Sequence, residues 1–140
     1  MSVTTGTGDI VAELKAFYDH YIESFNSGQE AVANACYSYP WNLVMNSEVI
    51  PMTSADSGKG MFEALYNRIV PLGWTATEVE TVDAFPAGSN SGLLRVDYRR
   101  VRADGSVIER GRCCYMVERT DGSWHFTGCI DSFTGENHLG

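Results

Sequence analysis

The sequence predicts an α+β fold in which a curled antiparallel sheet is covered by N-terminal helices. Three observations carry this expectation. Two Asp-Gly pairs, Asp104-Gly105 and Asp121-Gly122, each lie between β-rich runs and fold Gly92–Asp131 into a three-stranded meander. The first third carries apolar residues at helical spacing. Helices come first and the long strands come last, the order of an α+β domain.

Asp9 is placed to cap a first helix, with Ile10, Leu14, Phe17, Tyr21 and Phe25 on one stripe and Val11, Tyr18 and Ile22 widening it. Asn26-Ser27-Gly28 ends it. A short second helix is expected over Gln29–Tyr37, with Val32 and Cys36 inward. Pro40 breaks helicity, and the alternation around Trp41, Leu43 and Met45 reads as a short strand. Glu48–Met52 reads as a second strand, held to an edge by Pro51. A third helix starts at Asp56 or Ser57, turns Met61, Phe62, Leu65, Tyr66, Ile69 and Val70 inward, and stops near Pro71 and Gly73. Trp74–Phe85 is β-rich, with Thr75, Thr77, Val79 and Thr81 on one side. A surface loop at 86–91 leads into the meander strands Leu93–Arg102, Val107–Arg119 and Trp124–Ile130.

With 140 residues the chain fits one domain, expected over 9–133 between a loose arm at 1–8 and a tail at 134–140. Its 44% hydrophobic and 20% charged shares are those of a globular protein. A net charge of −8 argues against nucleic acid and anionic membranes, which reward clustered Lys and Arg. No apolar run approaches the roughly 20 residues of a membrane span. The polar start lacks the pattern of a signal peptide, so the expected compartment is the cytoplasm. Cys36, Cys113, Cys114 and Cys129 show no metal-ligand spacing and are expected as free thiols, with no metal and no cofactor.

Two-residue turns at both Asp-Gly pairs fix the register of the meander. Ala103 then faces Ser106, and Leu94 meets Tyr115, Val96 meets Cys113, Tyr98 meets Gly111 and Arg100 meets Glu109. On the next pair Val117 meets Phe126, Tyr115 meets Gly128 and Cys113 meets Ile130. One face collects Leu94, Val96, Tyr98, Cys113, Tyr115, Val117, Trp124, Phe126 and Ile130, with the Arg100–Glu109 pair at its far end. The other holds Arg95, Asp97, Arg99, Arg110, Arg112, Cys114, Met116, His125, Thr127, Cys129 and Asp131. The apolar face needs the first and third helices as cover.

This order of elements, from Asp9 to Asp131, resembles the nuclear-transport-factor-2-like superfamily, also called SnoaL-like. The run Tyr115-Met116-Val117-Glu118-Arg119-Thr120-Asp121-Gly122-Ser123-Trp124-His125-Phe126 resembles it most, with an apolar strand, an Asp-Gly turn and a Trp near the C-terminus. The resemblance implies a cone with a pocket for a small, mostly apolar molecule. Its characterised members include ketosteroid isomerase, scytalone dehydratase, limonene epoxide hydrolase and polyketide cyclases, which use acid–base residues rather than cofactors. Fold alone does not fix activity.

Under that reading Tyr18, Trp41, Tyr98, Arg100, Tyr115 and Phe126 are the expected ligand-contacting residues. Tyr18, Glu109 and Asp131 are the candidates for acid–base work. Core packing with satisfied hydroxyls is the favoured reading of the tyrosines over catalysis. Asp97, Arg112 and Asp131 line up across three strands as a water-activating set would, but on the outer face, where cross-strand ion pairs are common and weak. An inward turn of Asp131 through a bulge would change that reading. His125 faces Glu118 as a surface pair, and Cys114 and Cys129 are expected neighbours. Gly6-Thr7-Gly8 follows no strand and Ser57-Gly58-Lys59-Gly60 lacks phosphate-loop spacing, so neither marks a nucleotide site. The rival expectation is a non-catalytic homodimer formed through the outer sheet, where Leu93, Ile108 and Met116 would contribute.

Overall fold

The computed structural model describes residues 7–135. Helix α1 (Thr7–Asn26) and the short α2 (Glu30–Asn34) precede strands β1 (Tyr37–Met45) and β2 (Glu48–Met52). Helix α3 (Ala55–Ile69) and a 3-10 turn (Val70–Leu72) lead into four long strands: β3 (Trp74–Pro86), β4 (Ser91–Arg102), β5 (Val107–Thr120) and β6 (Ser123–Gly135). They form one six-stranded sheet in the order β2-β1-β6-β5-β4-β3. Every neighbouring pair is antiparallel except β1 and β6, which run parallel. Residues 1–6 and 136–140, the bulk of the expected arm and tail, lie outside the described residues. Within them α1 starts two residues before Asp9, and β6 runs into the expected tail as far as Gly135.

Local chemistry accounts for the boundaries. Ser54 caps α3 by accepting from the Ser57 backbone N–H at 3.4 Å. Gly73 closes the 3-10 turn at φ 93°, a left-handed conformation that favours glycine. The second helix is shorter than its pattern promised, because Tyr37 leaves it to pair with Phe126 of β6. Pro51 sits on β2, an edge strand as expected.

The core lies between α1, α3 and the inner sheet face. From α1 come Ile10, Leu14, Tyr18, Tyr21 and Phe25; from α3, Phe62 and Ile69; from the sheet, Trp41, Leu94, Val96, Tyr115, Val117 and Phe126. Phe126 is the hub, with ring centroids 4.4 Å from Tyr115, 4.7 Å from Phe17 and 4.9 Å from both Tyr21 and Tyr37.

Register departs from simple alternation in five places among the described residues, and three of these departures re-sort the faces around the site. At the first Asp-Gly turn the loop holds three residues: the Arg102 N–H donates to the Ser106 carbonyl at 2.9 Å and Val101 pairs with Val107. The extra residue, Ile108, restores the expected Arg100–Glu109 pairing and is 1% exposed, which removes it from the outer surface where it was expected. In β3, Glu80 is the extra residue, so Thr81 turns outward opposite Asp97 instead of inward with Thr77. In β6, Val117 pairs with Phe126 but Met116 pairs with Gly128, leaving Thr127 extra. Beyond it every assignment is inverted: Cys129 and Asp131 turn toward the core and Ile130 outward, 56% exposed. The Asp121-Gly122 turn has the expected two residues, with Asp121 at φ 51° and Gly122 at φ 78°.

Replacing Phe126 with Ala removes the hub of the aromatic cluster. The expected cost is about 3–5 kcal/mol of unfolding free energy, read from urea denaturation.

Candidate functional site

The inner face opens onto a small cavity between α1, α3 and the sheet, of about 40 Å³. The sheet contributes Thr77, Tyr98, Arg100, Cys113 and Tyr115; α1 contributes Tyr18, Tyr21, Ile22 and Phe25; α3 contributes Leu65. A water claims about 30 Å³ of liquid, so at rest the space is water-sized and admits no ring. A wider concavity of about 540 Å³ lies on the outside of the sheet, lined by Glu80, Thr81, Asp97, Arg110, Arg112 and Ser132 among others. Its charges face solvent and pair across strands: Arg112 takes Asp97 at 2.5 and 3.1 Å, and Thr81 donates to Asp97 at 2.8 Å. These hydrogen bonds hold the Asp97 carboxyl down at about 2. Such exposed, mutually neutralised pairs do little chemistry. The interior cavity, with buried ionisable groups at its wall, is the better candidate.

A connected chain of polar groups runs from α3 to β6 beside the cavity. Arg68 of α3 donates to both oxygens of Glu109 at 2.7 and 3.0 Å. Arg100 Nη1 also contacts Glu109 and donates to the Tyr98 hydroxyl at 3.2 Å. That hydroxyl donates to Asp131 Oδ1 at 3.2 Å, and the Cys113 thiol donates to the same oxygen at 3.1 Å. Arg100 and Glu109 side chains are only 6% and 4% exposed. The guanidinium of Arg100 lies over the Tyr98 ring at 4.6 Å and toward the Phe25 ring at 5.9 Å. Gly111 makes room for Tyr98: a Cβ there would collide with the tyrosine ring.

The two carboxyls of this chain behave oppositely. Burial alone would push Glu109 up, but hydrogen bonds from Arg68 and the charge of Arg100 outweigh it and hold Glu109 below the usual glutamate value. Asp131 keeps some solvent exposure as a residue, yet its carboxyl is enclosed by Tyr98 and Cys113. There desolvation wins over the hydrogen bonds from Cys113 and Tyr98 and the charge of Arg100, and the carboxyl is pushed up. The phenols of Tyr18, Tyr21, Tyr98 and Tyr115 are all pushed up by burial, so they remain proton donors. The Cys113 thiol is pushed up by its contact with Cys129 and by burial, and stays protonated. The arrangement therefore offers one carboxyl whose affinity for a proton is raised by burial, beside neutral hydroxyl donors and a fixed guanidinium–carboxylate pair.

Of the residues expected from the sequence, Tyr18, Tyr98, Arg100 and Tyr115 line the cavity. Trp41 stacks on Tyr37 at 4.3 Å and Phe126 lies beneath Tyr115, both in the core away from the lining. Glu109 stays locked in its ion pairs. Asp131, placed outside by simple alternation, is inside and separated by the sheet from Asp97 and Arg112. Cys114, expected beside Cys129, faces out opposite Ile130, while Cys129 lies inside with Cys113. Arg68 escaped notice, because an arginine in the last turn of a helix reads as a solvated cation. The inward turn of Asp131 had a signal, Gly128, since a glycine inside a strand marks a bulge. Among the described residues no cluster of His, Cys, Asp and Glu could hold a metal ion, and no helix is long and apolar enough to cross a membrane.

Residues 12–132 match the profile of an NTF2-like protein family, DUF6841. Solved structures share the fold at low identity. A protein of unknown function with a cystatin-like fold from Nostoc punctiforme superposes with a TM-score of 0.75 at 8% identity, covering 96% of this chain and 97% of its own. An NTF2-like protein of unknown function from Shewanella oneidensis gives 0.70 at 15% identity, covering 86% and 97%. A putative calcium/calmodulin-dependent protein kinase II association domain from Xanthomonas campestris gives 0.68 at 15% identity, covering 94% and 91%. No curated protein matches the chain.

Glu109→Gln leaves two guanidiniums facing a neutral amide, and is expected to cost about 3 kcal/mol at neutral pH. A depressed carboxyl stabilises the fold above its unfolded value, near 4.5, and that contribution is lost as pH falls through the folded value. The gap between wild type and variant, followed by denaturation at stepped pH, is expected to shrink below about pH 4.5.

Proposed function

The chain belongs to the NTF2-like family DUF6841, and from that premise we propose that its cone binds a small organic molecule, with Asp131 passing a proton to or from it. One observation carries the reading: Tyr98, whose side chain lines the interior cavity, donates its hydroxyl proton to the Asp131 carboxyl, which stands behind the lining and is pushed up by burial, so the proton route to a ligand runs through Tyr98. Paired in this way, an acid and a phenol serve proton transfer without a cofactor, as in isomerisations and dehydrations. Tyr18 and Tyr115 supply further hydroxyls, and Arg100 holds Tyr98 in place.

The water-sized resting volume sets a condition on this function: the ligand must part the roof. Ile22 and Leu65, both half-buried, stand where α1 and α3 meet over the cavity. Helix α3 is tied there by the Tyr66 hydroxyl donating to the Phe25 carbonyl at 2.6 Å and by Arg68 on Glu109. Leu65→Ala widens that gap without touching the polar wall. It is expected to tighten binding of a neutral aromatic probe, phenol, by about fivefold, ~1 kcal/mol, with proton chemical-shift changes at Tyr18, Tyr98 and Tyr115. Failure of phenol to bind both wild type and variant, or shifts confined to the outer face, would refute the pocket.

A second reading, homodimerisation through the outer sheet face, has its own observation. Phe85, Leu93, Met116 and Ile130 are large, apolar and about half exposed. Phe85 pairs with Leu93 and Leu93 with Met116, while Ile130 continues through Val44 to the exposed Val49, so the band reaches all six strands. A band this long on one face fits a two-fold self-contact. Sedimentation at micromolar concentration is expected to give a dimer for the wild type and a monomer of unchanged fold for Leu93→Glu/Met116→Glu. A wild-type monomer would remove this reading and leave the pocket untouched.

A further inference from the structure

The cavity is chemically two-sided. Its floor, on the sheet, is Thr77, Tyr98, Arg100, Cys113 and Tyr115, hydrogen-bonding groups without exception. Its apolar members, Ile22, Phe25 and Leu65, all belong to the helices of the roof, which also carry the Tyr18 and Tyr21 hydroxyls. A ligand matching both sides has a polar end and a hydrocarbon end. Resting on the pocket reading above, we infer that the ligand is an organic carboxylate, its charged head seated on the sheet at Arg100, beside the Tyr98 ring, and its apolar body under Ile22, Phe25 and Leu65.

Three observations favour a charged head over a neutral one. First, the Arg100 guanidinium is buried at the cavity wall, where a hydrocarbon body offers it no acceptor and a neutral carbonyl only an uncharged one. A carboxylate returns charge-assisted bonds to a planar fork of donors. Second, that fork is held in one orientation, by its contacts with Glu109 and the Tyr98 hydroxyl and by the rings of Tyr98 and Phe25. An immobilised guanidinium gives up little entropy on binding. Third, the resident carboxyls do not repel the newcomer as two bare charges would. Glu109 is shared by two guanidiniums, and Asp131, pushed up by burial, holds its proton more readily than an ordinary aspartate. The net charge of −8 acts at long range and is screened by salt, whereas Arg100 acts at contact.

The test compares benzoate with benzamide, equal in shape and different in charge, by calorimetry at pH 7 on the wild type and on Leu65→Ala, with the Arg100 Nε–H and Tyr98 ring resonances followed by NMR. Benzoate is expected to bind at least about tenfold more tightly than benzamide, ~1.4 kcal/mol, to move both resonances, and to keep that preference in the widened variant. Arg100→Lys keeps the charge but loses the fork, and is expected to erase most of the preference. Because that variant risks the fold, the wild-type comparison decides by itself. Equal binding, or tighter binding of benzamide with the same resonances shifted, overturns the carboxylate and leaves the pocket standing. Benzoate binding that leaves Arg100 and Tyr98 unmoved places the anion on the outer arginines and overturns the inference. If neither compound binds either protein, inference and pocket fall together.

Discussion

One extra residue in β6 governs what this fold can do. Because side chains alternate along a strand, Thr127 transfers the rest of β6 from one face to the other. Without it, Ile130 would add hydrocarbon to the interior and Asp131 would join the arginines outside. With it, a carboxyl enters an aromatic core, where desolvation is strong and a phenol and a thiol are its neighbours. The exchange also places Ile130 on the outer surface and completes the apolar band there. The buried carboxyl and the exposed apolar band are therefore two results of the same slip in register.

A charge network is costly to bury, and this one is tolerated because each member serves two neighbours. Glu109 receives Arg68 and Arg100; Arg100 reaches Glu109 and Tyr98; Tyr98 passes its own proton toward Asp131. The chain crosses the molecule from helix α3 to strand β6, so the roof and the acid are mechanically joined. A buried guanidinium–carboxylate pair seldom beats a hydrocarbon core for stability. Retaining it at the edge of a cavity, with one helix hanging from it, is better understood as fixing geometry than as adding strength.

The sequence was legible wherever periodicity and turn chemistry act alone. The stripe on α1, the edge position of Pro51, the order of the meander and the pairing of Leu94, Val96, Tyr98 and Arg100 with their β5 partners follow from spacing and from the Asp-Gly turns. The β4–β5 register agreed through compensation, since a three-residue loop and the extra Ile108 cancel. Nothing cancelled in β6, and half of that strand was misassigned. A bulge is a local insertion decided by the fit of neighbouring strands, and alternation has no means of registering it. Gly128, under the Met116 side chain, was the visible mark. The cavity's size was equally hidden: facing residues are readable from parity, but how closely their rings meet depends on the distance between helix and sheet.

The phenols around the cavity also make the molecule its own optical instrument. Tyr18, Tyr21, Tyr37 and Tyr115 are joined by ring separations of 5.7–6.3 Å, and Tyr37 lies face to face with Trp41 at 4.3 Å. Light absorbed by any of these tyrosines migrates through the set and drains to the indole. Whatever wedges the rings apart, or dries or wets their hydroxyls, alters that emission, so occupancy of the interior is written into the native ultraviolet spectrum without any attached dye.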